Sequence, residues 1–267
     1  MLVLLLFTGL LHAATDKNLW PKWVGNNPLS NAVISHQAWD KLLKKHVITN
    51  EEGINLINYH RFDKEDLNTL KNYIKEMSNI DIGNYNRREQ LAYWINLYNA
   101  LAVQTVINYH PVATIQQMDV APGLFSIGPV GKNLIEINNT MLNLDDINNR
   151  IIRPIWNDPR TLYALNNATI GAANLSNCAY RGATLDNQLN AAASAYINSL
   201  RGVEVIEGKL VLSKIFEWYK DDFGETSKDV VQHLEQFAKE PLLSQLKHIN
   251  TIDSYIYNWH LNGLSGK

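Results

Sequence analysis

The stretch RREQLAYWINLYNALAVQTVINY (Arg87–Tyr109) decides the predicted fold, because it contains no charged residue from Gln90 to Tyr109. Its apolar side chains recur at helical spacing, which predicts a long helix with one broad apolar face. The members of that face are Leu91, Trp94, Ile95, Tyr98, Leu101, Ala102, Thr105 and Val106. Surface helices usually carry Lys and Glu, so we expect this helix, from about residue 88 to 109, to run through the interior of the domain.

The opposite side of this helix carries side-chain amides, at Asn96, Asn99, Gln104 and Asn108. At 1.5 Å per residue the helix is about 30 Å long, which would cross a bilayer, but these amides argue against a membrane span. Two interpretations of Asn96 and Asn99 stay open. Either they hydrogen-bond neighbouring loops and so fix the helix, or they line a polar cleft with Tyr93, Asn166 and Asn167.

The composition predicts a folded globular protein with no nucleic-acid partner. The chain has 267 residues, of which 46% are hydrophobic and 19% charged, so it can bury a sizeable core. The formal net charge is −2, with no long run of one sign, which is unlike a nucleic-acid-binding surface. Cys178 is the single cysteine, so no internal disulfide can form. The histidines have no metal-binding spacing, and we predict no metal and no cofactor.

Residues 1–14 are predicted to be a secretory signal peptide. A short apolar run from Leu2 to Leu11 precedes small residues at Ala13 and Ala14, where cleavage is expected. No Lys or Arg precedes the run, and an uncleaved N-terminal anchor is the alternative. The sequence therefore predicts a periplasmic or secreted protein whose mature chain has no transmembrane segment.

The remaining sequence predicts an α+β fold that is mostly helical, with small antiparallel β-hairpins. Helices are expected at residues 35–45, 63–77, 144–155, 184–200 and 213–223, with shorter ones after Thr226 and Pro241. Hairpins are expected around Glu207-Gly208 and between the strands Phe125–Val130 and Leu134–Ile137. No linker, repeat or low-complexity segment interrupts the chain, so residues 15–267 are predicted to form one domain.

Several segments resemble the DUF547 family of uncharacterised domains. The most specific match is EQLAYWINLYNALAV (Glu89–Val103), and the others are LNLDDI (Leu142–Ile147), DPR (Asp158–Arg160), LSKIFEWYKDDFG (Leu212–Gly224) and Y-x-W-x-L-N from Tyr257 to Asn262. The resemblance covers nearly all of the mature chain. The family name implies no activity, because it denotes a domain of uncharacterised function.

The chain departs from the family pattern at positions that could carry chemistry. After D-P-R the family commonly has one His and two Cys, and these positions hold Leu162, Asn167 and Ala172. An acidic–His pair of the family corresponds to Asn148 and Asn149, and the Asp of its terminal Y-D-W corresponds to Asn258. A cysteine beside an imidazole is what nucleophilic acyl transfer requires, because the thiolate attacks and the imidazole takes the proton. If the family works in this way, this chain has lost the reactive groups.

Three further residues belong to an alternative in which the protein is a thiol enzyme: Cys178 as the nucleophile, with His110 or His260 as its base. Cys178 lies beyond the family's cysteine positions, and a lone cysteine is more often a small buried thiol. Arg153 and Arg160 could bind a carboxylate or phosphate through their forked donors, although an Arg beside an Asp usually forms a structural ion pair.

These observations leave two hypotheses. The first is a secreted or periplasmic DUF547-like protein without catalysis, which binds a peptide or an envelope component or has a structural role. Its candidate cleft residues are Tyr93, Asn96, Asn99, Arg160, Asn166 and Asn167. The second is a thiol-dependent hydrolase or acyl-transferase that acts on a peptide or cell-envelope substrate. An imidazole nitrogen within hydrogen-bonding distance of the Cys178 sulfur would distinguish the second from the first.

Overall fold

Residues 17–109 and 133–264 are described by a computed structural model, which has the predicted α+β fold and is mostly helical. The α-helices of this part are α1 (Gln37–His46), α2 (Lys64–Ser78), α3 (Arg87–Tyr109), α4 (Arg153–Trp156), α5 (Leu185–Ile197), α6 (Ile215–Trp218), α7 (Lys220–Phe223), α8 (Ser227–Glu235) and α9 (Leu242–Leu246). The strands are β1 (Val47–Thr49), β2 (Asn55–Ile57), β3 (Ile135–Ile137), β4 (Thr140–Leu142), β5 (Val203–Ile206), β6 (Lys209–Ser213) and β7 (Ser254–Ile256). The predicted signal peptide lies outside the described residues.

The helix α3 is the buried centre that its lack of charge predicts. Every residue from Glu89 to Val103 is buried, on all sides of the helix. The carboxylate of Glu89 accepts a hydrogen bond from the Ile34 N–H (3.2 Å). Gly182 packs so closely here that a Cβ at its position would clash with Glu89, so this approach requires glycine. No helix among the described residues is long and apolar enough to cross a membrane.

The hairpin predicted around Glu207-Gly208 is present as β5 and β6. The strands pair antiparallel, and the two turn residues have φ values of 50° and 77°, as a two-residue hairpin turn requires. The strand β7 extends this sheet by pairing parallel to β6, which the sequence did not predict.

The strand predicted at Leu134–Ile137 forms as β3, and it pairs antiparallel with β4. Asn138 and Asn139 make the turn with φ values of 48° and 58°. The partner predicted for this strand, Phe125–Val130, lies outside the described residues. A third antiparallel pair joins β1 and β2.

Buried side chains form two hydrophobic clusters. The first surrounds α3 and contains Trp39, Trp94 and Leu97. The second is built from the aromatic rings of Tyr163, Tyr196 and Phe216 together with aliphatic side chains from β5, β6 and α8. Trp259 near the C-terminus packs against both clusters.

The helix predicted at residues 144–155 is divided into a π-helix (Asp146–Ile152) and α4. Pro154 has no N–H and cannot donate to the carbonyls of the preceding turn. The carbonyl of Asn149 instead accepts from the Asn18 N–H (3.2 Å), and that of Arg150 from the Trp20 N–H (3.0 Å). The segment that contains Asn18 and Trp20, which we call the N-terminal arm, therefore stabilises the π-helix. A π-helical turn is frequent at functional sites.

Candidate functional site

A small pocket lies where the two hydrophobic clusters meet. Its volume is about 40 Å³, which is space for about three water-sized groups. Side chains from α3, the π-helix and α6 contribute to it, as do three connecting segments. The lining residues are Tyr98, Asn148, Leu162, Leu165, Asn167, Ala172, Ile215, Trp218, Tyr219 and Tyr257. None of these ten side chains is charged at neutral pH.

The pocket collects positions at which the chain departs from the family pattern. Asn148, Leu162, Asn167 and Ala172 are separated along the sequence, yet all of them line it. Amide and alkyl groups therefore occupy the positions at which the resemblance to the family leads us to expect acidic, His and Cys residues. None of these four groups can act as a proton acceptor or a nucleophile near neutral pH.

Two further departures lie beside the pocket and take part in local hydrogen bonds. Asn149 donates to Asp145 (3.3 Å) and accepts from the Arg153 guanidinium (2.9 Å). Asn258 is exposed, and its Oδ1 lies 2.8 Å from Nδ1 of His260. These two amides are therefore paired within the chain.

Asn148 is a lining residue whose buried amide is incompletely hydrogen-bonded. It is only 5% exposed, and its Nδ2 donates to the Tyr219 hydroxyl (3.2 Å), whereas its Oδ1 has no partner among the described residues. Turning the amide by 180° would let Tyr219 donate to Oδ1 and would leave Nδ2 unpaired instead. In both orientations the Asn148–Tyr219 pair presents one donor and one acceptor. An unpaired buried amide atom costs about 1–3 kcal/mol, so a group that pairs with it is stabilised.

Tyrosine hydroxyls supply most of the remaining polarity. Burial raises the pKa of Tyr257 to about 12 and the pKa values of Tyr98 and Tyr219 well above the ordinary value, so all three keep their protons at neutral pH. The Tyr257 hydroxyl hydrogen-bonds Thr169 (2.7 Å) and Asn167 (3.2 Å). The Tyr98 hydroxyl has no hydrogen-bond partner among residues 17–109 and 133–264.

The carboxyl group of Asp145 gives the surroundings of the pocket a negative charge. Burial, and then the neighbouring Asp146, raises the pKa of Asp145 to about 6. Its charge in turn helps to raise the pKa of Tyr219. The Arg153 guanidinium stacks over the Tyr219 ring at 4.6 Å but is already ion-paired with a carboxylate of α7. The pocket therefore suits a neutral group better than an anion.

The C-terminal segment is held against the loop that carries Asn167. The N–H groups of Ile170 and Gly171 donate to the carbonyls of His260 and Asn258, both at 2.8 Å. A Cβ on Gly171 would lie 2.8 Å from the Asn258 nitrogen, so the close approach requires glycine. This contact brings Tyr257 to the pocket.

The amides Asn96 and Asn99 of the predicted cleft lie elsewhere and are completely paired. Asn96 donates to the Tyr180 carbonyl (2.8 Å) and accepts from the N–H of the same residue (2.9 Å). Asn99 donates to the Ala164 carbonyl and accepts from the Asn166 N–H, both at 2.9 Å. Each side-chain amide thus donates to and accepts from the backbone of a loop, as a neighbouring β-strand would. This geometry agrees with the internal hydrogen-bonding interpretation.

Tyr93 and Asn166 are likewise occupied by hydrogen bonds within the fold. Tyr93 is buried and donates to the Met77 carbonyl (3.0 Å). Asn166 donates to the Ala173 carbonyl (2.6 Å) and accepts from Asn262 (3.0 Å). Of the six predicted cleft residues, Asn167 lines the pocket.

Arg160 lies in a different, open groove of about 550 Å³. Its guanidinium is bound by Asp158 (2.6 Å), Asp186 (3.2 Å) and Asn190 (2.7 Å). Arg153 is buried and paired with Asp222 at 2.5 Å. Both arginines therefore form the structural ion pairs that an Arg beside an Asp favours.

Cys178 is not among the lining residues, and it is partly exposed. Its sulfur lies 3.5 Å from the Ser176 hydroxyl and 3.9 Å from the Gln188 amide. Neither group can take a proton as an imidazole does. His260, proposed as its base, is bound to Asn258, and His110 lies outside the described residues.

The sequence did not identify four aromatic residues of the pocket: Tyr98, Trp218, Tyr219 and Tyr257. All four occur in the segments that resemble the family, Glu89–Val103, Leu212–Gly224 and Tyr257 to Asn262. Recurrence of aromatic residues in separate matching segments was therefore the available signal.

These features define a mostly helical α+β protein with a neutral pocket between two hydrophobic clusters. The model of the DUF547 family, described as a protein of unknown function, matches residues 82–197. Residues 82–197 are therefore similar to the DUF547 family, and they supply more than half of the lining residues of the pocket. No curated protein and no solved structure gives a significant match to this chain.

Proposed function

We propose that the protein is an exported, non-catalytic binding domain that holds a neutral group of a peptide or envelope component in this pocket. One observation carries the proposal. The pocket is lined by Asn148, Leu162, Asn167 and Ala172. One end of the buried Asn148 side-chain amide has no partner among the described residues. Nucleophilic acyl transfer needs a thiolate and a base in one place, and the pocket offers amides, alkyl groups and protonated tyrosines. Such a lining can bind a ligand by hydrogen bonds and apolar contact without attacking it.

A pair of probes with nearly the same shape tests this proposal: acetamide and acetate. Acetamide can satisfy both the free donor and the free acceptor of the Asn148–Tyr219 pair, whereas acetate brings a negative charge towards Asp145. We expect acetamide, near neutral pH, to shift the NMR signals of the Asn148 side-chain amide, and acetate to leave them in place. Signals that do not respond to acetamide would contradict the binding role.

The absence of catalysis needs a separate measurement. The protein and its Cys178→Ala variant would be incubated with activated esters, thioesters and peptides. We expect no turnover above the uncatalysed rate for either protein. Turnover that Cys178→Ala abolishes would support the thiol enzyme instead and overturn the proposal.

Export is proposed from the apolar N-terminus, with residues 15–267 forming a single domain after cleavage near Ala13 and Ala14. Expression of the complete chain in a bacterial host, followed by mass spectrometry, tests this directly. We expect a protein in the periplasmic or external fraction that begins just after one of these alanines. An intact chain starting at Met1 in the membrane fraction would identify an uncleaved anchor.

A further inference from the structure

We propose that the group bound in this pocket is the acetamido group of an N-acetylated amino sugar, with the sugar ring against the aromatic residues at its mouth. The inference rests on the proposed function, because it names the ligand of the same pocket. Three properties of the described residues carry it: the hydrogen-bonding pattern of the pocket, its size, and the aromatic cluster beside it.

An acetamido group has one donor, one acceptor and a methyl group. The Asn148–Tyr219 pair offers one acceptor and one donor in both orientations of the Asn148 amide. The Tyr98 hydroxyl, which has no partner among the described residues, offers a second donor to the carbonyl oxygen. The methyl group finds apolar contacts on Leu162 and Ala172.

The size of the pocket agrees with this group. A volume of about 40 Å³ accommodates about three water-sized groups, and an acetamido group has only a few heavy atoms. A sugar ring does not fit inside and must remain at the mouth. The partly exposed residues Asn167 and Tyr257 mark that mouth, whereas Tyr98 and Leu165 are buried.

An aromatic cluster continues from the pocket towards the surface. The ring centroids of Trp218 and Tyr257 are 4.8 Å apart, and Trp259 lies 5.4 Å and 4.6 Å from them. Tyr257 and Trp259 are partly exposed. The C–H bonds on one face of a sugar ring carry a small positive charge, so they pack well against the negative face of an aromatic ring.

The surroundings of this cluster favour a sugar over an acetylated lysine, which also carries an acetamido group. An acetyl-lysine arm is an alkyl chain and needs a continuous apolar channel. The mouth instead combines aromatic rings with a polar side chain, since the partly exposed Asn167 hydrogen-bonds the Tyr257 hydroxyl (3.2 Å). A ring that is apolar on its face and polar at its edge matches that combination.

Titration with a trisaccharide of N-acetylglucosamine tests the inference, with tryptophan fluorescence as the readout. We expect binding that is at least about tenfold tighter than for the de-acetylated trisaccharide or for a glucose trisaccharide, since each lacks the hydrogen-bonding amide. Asn148→Leu should weaken the binding by about tenfold or more. Asn190→Leu, an exposed asparagine in the Arg160 groove, is the matched control and should leave it unchanged.

The remaining outcomes separate the sugar from the proposed function. Equal affinity for the acetylated and de-acetylated trisaccharides, or unchanged binding by a folded Asn148→Leu protein, would overturn the inference. Binding of an N-acetyl-lysine peptide in place of the trisaccharide would assign the pocket to a protein ligand. If acetamide binds and the trisaccharide does not, the neutral pocket stands and the sugar is wrong. If acetamide also fails to bind, both proposals are wrong. The near-ultraviolet circular dichroism of each variant verifies its fold.

Discussion

Two groups of buried asparagines, Asn96 with Asn99 and Asn148 alone, differ in how completely their side-chain amides are hydrogen-bonded. Asn96 and Asn99 are 0% and 2% exposed, and both ends of each amide bind a loop backbone. Asn148 is nearly as buried, at 5%, but one end of its amide has no partner within residues 17–109 and 133–264. Burial alone therefore does not separate a completely hydrogen-bonded amide from an incompletely bonded one. The binding role proposed for Asn148 rests on its unpaired atom, because a buried polar group without a partner is costly to keep.

The surroundings of the two groups explain the difference. The loops at Tyr180 and Ala164 run close along α3, so their backbone groups complete the hydrogen bonding of Asn96 and Asn99. Asn148 lies on a π-helix and faces tyrosine hydroxyls and alkyl groups, which offer too few partners. The first arrangement stabilises the fold, and the second leaves the amide atom that the proposed ligand would pair with.

The largest expected effect is the loss of a completely paired amide. Asn99→Ala leaves the Ala164 carbonyl and the Asn166 N–H buried without partners, so we expect the free energy of unfolding to fall by about 4 kcal/mol. Asn148→Ala is the matched control, and its expected loss is about 1 kcal/mol, because its carbonyl is already unpaired. Urea unfolding followed by circular dichroism measures both. Equal losses would remove the distinction between the two groups.

A second test concerns the charge next to the pocket. The pKa of Asp145 is raised from 3.8 to about 6 in the folded protein, so folding favours the protonated carboxyl. The charged Asp145 carboxylate therefore destabilises the folded state. This destabilisation is absent below about pH 4, grows as the pH rises, and is complete above about pH 6. Asp145→Asn removes it, and we expect the variant to be more stable than the parent protein by about 3 kcal/mol above pH 7 and equally stable near pH 4.

The comparison is made by urea unfolding of both proteins across this pH range. The difference between the variant and its parent cancels the titration of other groups, such as His233, whose pKa is lowered to about 4 by burial. A difference that does not change with pH would mean that Asp145 is not held in an unfavourable charged state.

A third test uses two buried tyrosines. The Tyr196 hydroxyl hydrogen-bonds the Gly171 carbonyl (2.6 Å) and the Ser213 hydroxyl (2.8 Å), so Tyr196→Phe should cost about 2 kcal/mol. Tyr98→Phe loses no hydrogen bond within the described residues, and its expected cost is below about 0.5 kcal/mol. Thermal unfolding of the two variants measures the contrast. A cost for Tyr98→Phe as large as that for Tyr196→Phe would show that the pocket hydroxyl is already satisfied.

The sequence predicted the elements whose signals are local. The lack of charge between Gln90 and Tyr109 predicted a buried central helix, and Glu207-Gly208 predicted the hairpin of β5 and β6. The Asn138-Asn139 turn carries a local signal as well, because asparagine tolerates positive φ, although no turn was predicted there.

What the sequence could not predict depends on contacts between distant segments. The π-helix relies on hydrogen bonds from Asn18 and Trp20 in the N-terminal arm, and no periodicity within the helix reveals them. The departures from the family pattern were visible one by one, but only the fold shows that Asn148 and Asn167 face the same pocket. The completeness of each amide's pairing is likewise a property of the folded molecule.

The smallest expected effect belongs to Cys178, whose side chain lies outside both groups of amides. Its sulfur makes only long contacts with Ser176 and Gln188, so Cys178→Ala should change the free energy of unfolding by less than about 0.5 kcal/mol. Iodoacetamide labelling of the parent protein provides the chemical counterpart, and we expect a rate no higher than that of glutathione under the same conditions. Neither neighbour can take the thiol proton, so faster labelling would require a base near the sulfur. That result would favour Cys178, and not the pocket around Asn148, as the functional site.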